Sequence, residues 1–212
     1  MKRYGSFFLL ALALAIAPGP DILFVLAQAL AQGWQAGACV TAGLCSGLVF
    51  HVTLAAVGVA AALKRYPWLF KAVTWFGAAY LVWLGFGAWR EAHVIHLAAD
   101  GSSEAAFSAG ALYLRGVIMN VLNPKVMLFF LALVPRFVRP ESGRVVTQFM
   151  MLGLLFALAA ALVFLAVSLG GGMVSSLLRE HASATVGLQY FAALVMFGLA
   201  GWIGWMNVRR EG

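Results

Sequence analysis

The sequence predicts an all-α integral membrane protein with six transmembrane helices, arranged as a 3+3 inverted repeat with helices 1 and 4 broken. Three observations predict it. Hydrophobic residues make up 64% and charged residues 10% of the 212 positions, against roughly 45–50% and about 25% in soluble domains. Charge-free runs recur at the ~20 residues that a membrane span needs. Two of these runs carry a proline break beside a charge at matching depth. So little charge cannot cover a water-soluble surface, and disordered, collagen-like or coiled-coil chains need polar or periodic sequence that is absent here.

The spans follow in order. Residues 4–63 hold one ionised side chain, Asp21, in sixty positions, room for two spans with a turn at Gln32-Gly33-Trp34-Gln35. Lys64, Arg65 and Pro67 end the second span, and a third runs from about Pro67 to Trp89. Residues 90–112 turn polar (Arg90, Glu91, His93, His96, Asp100, Glu104) and form the longest loop. A fourth span over about 113–135 is interrupted by Asn123-Pro124-Lys125. The fifth falls within 145–178, thirty-four residues free of charge, and the sixth within 182–206. The chain is thus one transmembrane domain, 1–212, with half-repeats of approximately 1–89 and 113–206 joined by the loop 90–112. The first segment also carries signal-peptide features: Lys2 and Arg3, an apolar stretch, and small residues at Ala15 and Ala17. Cleavage after Ala17 would leave Pro18 first, which such sites disfavour, and the apolar run continues to Leu30; the segment is expected to stay.

Net charge is +7, but the basic residues sit in short loops and so orient spans rather than mark a nucleic-acid surface. Lys2, Arg3, Lys64, Arg65, Lys71, Arg136, Arg139, Arg144, Arg209 and Arg210 fall on the side of both termini; Arg90, Arg115 and Arg179 fall on the other. The positive-inside rule then places both termini in the cytoplasm. Cys39 and Cys45 share one apolar run and make no disulfide framework.

The breaks point to function. Pro18-Gly19-Pro20 interrupts span one just before Asp21, and Asn123-Pro124-Lys125 interrupts span four. At ~1.5 Å per residue, Asp21 and Lys125 lie roughly 15–20 Å inside their spans, near mid-bilayer. Proline removes an amide donor, so Pro20 frees the carbonyl of Ile16 and Pro124 that of Asn120. Unpaired backbone persists at that depth only where protein or a water-filled cavity satisfies it. Three spans per half force opposite orientations, and discontinuous helices at corresponding places in inverted halves point to a transporter's central site. A charge at a helix centre costs about 2.5–3.5 kcal/mol on insertion scales, so Asp21 and Lys125 are site candidates by default. They either pair and hold the halves together, or face a cavity and bind a substrate bearing both charges. In the second case Lys125 and the half-helix after Pro20 would face a carboxylate, and Asp21 with the freed carbonyls an ammonium.

Other polar residues extend the pattern. Asp21, Gln28, Gln32 and Gln35 follow one helical face, and Asn120 and Asn123 another. His51, among apolar neighbours, is either a hydrogen-bonded packing residue or a proton carrier. Ala36, Gly37, Ala42, Gly43 and Gly47 form a small-residue ribbon suited to close helix packing.

In this order the residues resemble the LysE/RhtB family of amino-acid exporters. The likeness covers essentially the whole chain: Ala17-Pro18-Gly19-Pro20-Asp21, the glycines 33, 37, 43 and 47 leading to His51, and Gly77-Ala78-Ala79-Tyr80-Leu81-Val82-Trp83-Leu84-Gly85. It continues through Arg115-Gly116, Asn120-Val121-Leu122-Asn123-Pro124-Lys125, Leu128-Phe129-Phe130 and Pro135-Arg136-Phe137. Arg136 departs from the family's frequent glutamine and is expected to affect anchoring. The resemblance implies secondary export of amino acids or derivatives (threonine, homoserine, homoserine lactone, leucine or lysine type) across the bacterial inner membrane, driven by the proton-motive force.

The expected partners are therefore an amino-acid substrate, protons and the lipid bilayer, with no nucleic acid and no cofactor; a homo-oligomer is compatible with the sequence. The substrate-binding and transport residues are expected to be Pro18, Gly19, Pro20, Asp21, His51, Asn120, Asn123, Pro124 and Lys125. No enzyme is expected: no Ser–His pair with a supporting motif, aspartate dyad or His-Glu-x-x-His stands out, and no glycine-rich phosphate loop occurs. The alternative is a metal-ion or other small-solute exporter, for which the loop residues Glu91, His93, His96, Asp100 and Glu104 offer weak cation ligands, but no span carries the several inward carboxylates or thiolates of a metal path.

Overall fold

The computed structural model describes residues 2–65, 67–91, 107–171, 173 and 182–208. Among these the regular elements are all helical: α1 (Lys2–Ile16), α2 (Pro20–Gln32), α3 (Trp34–Arg65), α4 (Pro67–Glu91), α5 (Ala109–Val121), α6 (Pro124–Leu128), α7 (Val145–Leu169) and α8 (Ala182–Val208). A π-turn over Phe129–Leu133 and a 3-10 turn over Val134–Phe137 continue α6. Two stretches, Trp34–Gly58 and Val145–Leu169, are long and apolar enough to cross a membrane unaided. Two bent pairs qualify when each is taken as one span: α1 with α2, bent by 60°, and α5 with α6 and its continuation, bent by 48°.

Outward faces carry large apolar side chains, among them Val49, Phe50 and Val57 of α3, Phe76, Trp83 and Phe86 of α4, and Leu154, Leu158 and Leu162 of α7. A soluble chain would not expose such continuous apolar faces. Hydrocarbon suits them.

Since lipid is as apolar as leucine, helices here associate through close packing of small residues. A Cβ on Gly43 would collide with the backbone carbonyl of Tyr113, and one on Gly116 with the carbonyl of Val40. A Cβ on Gly47 would come within 2.7 Å of the Asn120 Cβ. The expected ribbon thus seats α3 against α5. The other pairings are α3 on α7, α4 on α8, α2 on α3, and α1 and α2 on α7. The first broken span therefore leans on α7 of the second half, as the second leans on α3 of the first.

Some boundaries differ from expectation. The turn after α2 is the single residue Gly33, whose φ of 89° favours glycine. Gln35 consequently starts on α3, exposed, and leaves the expected polar face; Gln28 and Gln32 bond to each other at 2.8 Å. The connection expected over 90–112 is shorter at both ends. α4 runs to Glu91, and the Ser108 hydroxyl caps α5 by accepting from the Ala111 amide at 3.3 Å. His93, His96, Asp100 and Glu104 lie outside the described residues. Cys39 and Cys45 are free thiols.

The end of the bundle holding the α1 N-terminus is tied by polar side chains. Gln148 of α7 accepts from Arg3 at 3.3 Å and from the Arg139 amide at 3.0 Å, and donates to the Gly143 carbonyl at 2.8 Å. Arg136 donates to the buried Asn207 of α8, whose amide in turn donates to Thr74 Oγ1 of α4 at 3.2 Å. The arginine expected at a span end thus also joins three helices.

Gly43→Ala and Gly116→Ala press a methyl against backbone that cannot turn aside, at about 1–3 kcal/mol each. Gly58→Ala meets nothing within 4 Å. Thermal unfolding of the purified protein should rank both former variants below Gly58→Ala, and equal midpoints would show that α3 and α5 can separate freely.

Candidate functional site

The two breaks form by the same local chemistry. Pro18 and Pro20 lack amide donors, so α1 stops at Ile16 after the Ala17 N–H reaches the Ala13 carbonyl at 3.1 Å. Gly19 is extended, Pro20 opens α2, and Asp21 sits in its first turn, where the helix dipole favours a carboxylate. In the second bent pair, α5 stops at Val121 and Asn123 caps α6, its Oδ1 accepting from the Lys125 amide at 3.0 Å. Pro124 takes the first helical position.

These breaks meet. Asn123 Nδ2 donates to Asp21 Oδ2 at 2.6 Å, a charge-assisted bond from one break to the other. Lys125 Nζ donates to the carbonyls of Leu14 at 3.1 Å and Ala17 at 3.2 Å. Leu14 is the residue whose helical partner would be Pro18, so the ammonium supplies the donor that this proline lacks. Sequence reasoning placed the orphan at Ile16, through Pro20; the carbonyls that find a donor across the cleft belong instead to Leu14 and Ala17. The Asn120 carbonyl, freed by Pro124 as expected, takes His51 Nε2 at 2.8 Å and the Asn123 amide at 2.9 Å. A carbonyl only accepts, so Nε2 carries the proton. Phe130 stacks on the same ring at 6.3 Å.

Asp21 and Lys125 form no direct ion pair; each is held by groups of the opposite break. Between them lies a cavity bordered by Gly19, Asp21, Asn120 and Lys125 and walled by apolar residues. Its volume is about 20 Å³, room for little more than one water and far less than an amino acid. Three buried polar atoms near the breaks keep no partner: Asp21 Oδ1, Asn120 Oδ1 and His51 Nδ1.

Four of the nine expected site residues, Gly19, Asp21, Asn120 and Lys125, therefore line the cavity. Pro18, Pro20, Asn123 and Pro124 shape the breaks, and His51 stands behind Asn120. Sequence reasoning missed the walls: Leu44 and Leu48 of α3, and Phe156, Ala160 and Phe164 of α7. Phe156 packs on Phe129 at 5.1 Å, Phe129 on Phe7 at 5.9 Å, and Phe7 on Phe137 at 5.1 Å. This fully apolar layer separates the cavity from the end that holds Arg3 and Gln148. Among the described residues no group of three or more His, Cys, Asp or Glu could hold a metal ion.

Comparison with known proteins gives a consistent set. A family model described as LysE type translocator matches residues 12–205. The homoserine/homoserine lactone efflux protein of Salmonella typhi is 32% identical over 70% of this chain and 70% of its own length. The leucine efflux protein of Klebsiella pneumoniae is 28% identical over 93% of this chain and 92% of its own. An uncharacterized membrane protein of Vibrio cholerae is 29% identical over 90% and 91%. No solved structure gives a significant match.

Asn123 is the residue on which both breaks turn. Asn123→Ala removes a helix cap and strips the Asp21 carboxylate of its donor, together roughly 2–4 kcal/mol. Thermal midpoints should fall by several degrees. Against an Asp21→Ala background, which removes the acceptor, the loss should shrink toward that of the cap alone, about 1 kcal/mol. Strictly additive shifts would show that the 2.6 Å bond contributes nothing to stability.

Proposed function

The chain belongs to the LysE type translocator family, and from that premise we propose that it is a secondary active exporter of amino acids or their derivatives in the bacterial inner membrane. The observation that carries this reading is the cavity at the junction of two broken helices, lined by a carboxylate and an ammonium that make no direct ion pair and are each held by groups of the opposite break. The relatives named as homoserine/homoserine lactone and leucine efflux proteins support small amino-acid substrates, of threonine, homoserine, homoserine lactone, leucine or lysine type.

The mechanism is alternating access by proton antiport. Spans one to three and four to six form two halves of opposite orientation, with both termini in the cytoplasm. Support comes from the exchanged packing, span one on α7 and span four on α3, with α3 on α7 and α4 on α8 across the pseudo-symmetry. Residues 1–89 and 113–206 are then the moving bodies. The cavity is too small for any amino acid as it stands, so substrate enters by parting the breaks. Parting them withdraws Lys125 from the Leu14 and Ala17 carbonyls, which an entering substrate and its water must then solvate. On the terminal side the path crosses the Phe7, Phe129 and Phe137 layer. Asp21, and His51 behind Asn120, are the groups positioned to exchange a proton in step with substrate.

Inside-out vesicles carrying the protein should accumulate one or more labelled amino acids from a panel, and lose that uptake when the pH gradient is collapsed. Asp21→Asn and Lys125→Ala should insert normally and take up no more than empty vesicles. Uptake by both variants at the wild-type rate would remove the site; no uptake of any amino acid by inserted wild-type protein would remove the substrate class.

A further inference from the structure

The cavity has two unlike sides. Its polar residues, Asp21, Asn120 and Lys125, all stand at the breaks, whereas α3 and α7 present only apolar side chains to it. The α7 side is stepped. Phe156, Ala160 and Phe164 are spaced by four and so share one face of the helix, a methyl group between two phenyl groups. Leu44 and Leu48, one turn apart on α3, complete this wall, and all five side chains are buried. The distance between the two helices is set on either side of the cavity. A Cβ on Gly37 would lie 2.9 Å from the Ser168 Cβ, and one on Gly153 would collide with the Val52 side chain. These close approaches are about 22 Å apart along each helix, and Leu44 and Ala160 fall midway between them.

We infer that Ala160 sets the size of the side chain this exporter accepts: the ligand's side chain seats in the notch between Phe156 and Phe164, against Leu44 and Leu48, with its polar end toward the breaks. This rests on the exporter reading above and deepens it by naming the residue that selects among its substrates. Parting the breaks widens the cavity on its polar side, while the glycine contacts keep α3 and α7 at one spacing, so the shape of the apolar wall persists. A side chain gains by leaving water for the notch in proportion to the area it buries. Beyond the depth of the notch, each added methylene has to displace packed groups. The phenyl group at one edge is held in place, Phe156 packing on Phe129 at 5.1 Å and on Phe130 at 5.3 Å. The depth is therefore governed by residue 160, where each carbon added to the wall takes the room of one on the ligand.

Competitive uptake tests this. Inside-out vesicles are offered alanine, threonine, leucine and phenylalanine together, each with its own label, so that the ratios among them are independent of how much protein is inserted. Ala160→Val and Ala160→Leu should move uptake stepwise toward the shorter side chains, the longer ones falling about tenfold relative to alanine at each step, the usual weight of a methylene in an apolar pocket. Phe164→Ala should act the other way, raising the longest side chains about tenfold relative to the shorter. Ala159→Val is the control: Ala159 is fully buried beside Ala160 but does not line the cavity, so this variant should lower total uptake at most and keep the wild-type ratios. Unchanged ratios in the Ala160 variants, or the same shift in Ala159→Val, would overturn the inference and leave the exporter standing. Should neither Ala160 variant insert, unchanged ratios in Phe164→Ala would overturn it equally. No uptake of any of the four by inserted wild-type protein would instead strike the exporter reading, and the inference with it.

Discussion

Backbone polarity in an apolar solvent is the constraint on which this molecule depends. Four prolines, 18, 20, 124 and 135, sit in or beside the two broken spans, and each deletes a donor where water is not at hand to replace it. The freed carbonyls that find donors across the cleft find them on the opposite half of the chain: Lys125 of the second half serves Leu14 and Ala17, and His51 of the first serves Asn120. Breaking a helix would ordinarily loosen it. Here the breaks become the points at which the halves are bound together.

That exchange of donors requires the backbones to lie close, which explains the glycines. His51 reaches the Asn120 carbonyl because α3 and α5 cross at Gly43 and Gly116, each occupying space that any side chain would fill. Gly47 makes the corresponding room for Asn120 itself. The ribbon is therefore part of the site's support as well as of the packing. Likewise the π-turn after α6 presents Phe129 and Phe130 toward Phe156 and His51, so the irregular stretch after the second break packs against Phe156, which lines the cavity. Irregular helical turns of this kind cluster at functional sites.

Much of this was legible in the sequence because few things happen in an apolar chain without a charge, a proline or a glycine to announce them. Charge-free runs placed the helices, and the helix ends at Gln32, Arg65 and Val145 fall where glycine, proline or charge interrupts the pattern. The two breaks and their charges were equally visible. The pairings were not. Asp21 and Lys125 read naturally as partners, yet a carboxylate is as well served by the Asn123 amide and an ammonium by two carbonyls, and only the relative placement of the breaks decides between these. The apolar walls, Leu44, Leu48, Phe156, Ala160 and Phe164, carry no signal at all, since nothing separates a cavity-lining leucine from a lipid-facing one in a chain this hydrophobic. Gln35 was assigned to the wrong face because one glycine with positive φ ends the helix that would have aligned it.

The same crossed bonds set what an exporter of this design must do. In this arrangement Lys125, Asn123 and His51 satisfy the breaks from within the chain. An antiporter must change its access without substrate only when it carries its proton; otherwise the cycle leaks. The buried Asp21 Oδ1 bears directly on this requirement, because it accepts no hydrogen bond within the chain. A proton on that oxygen, or an ammonium against it, relieves the same deficit, and the two cannot occupy it together. Under the proposed antiport, competition of proton and substrate for one oxygen would be sufficient to couple their movements in opposite directions, while His51 Nε2 holds the Asn120 carbonyl at the second break.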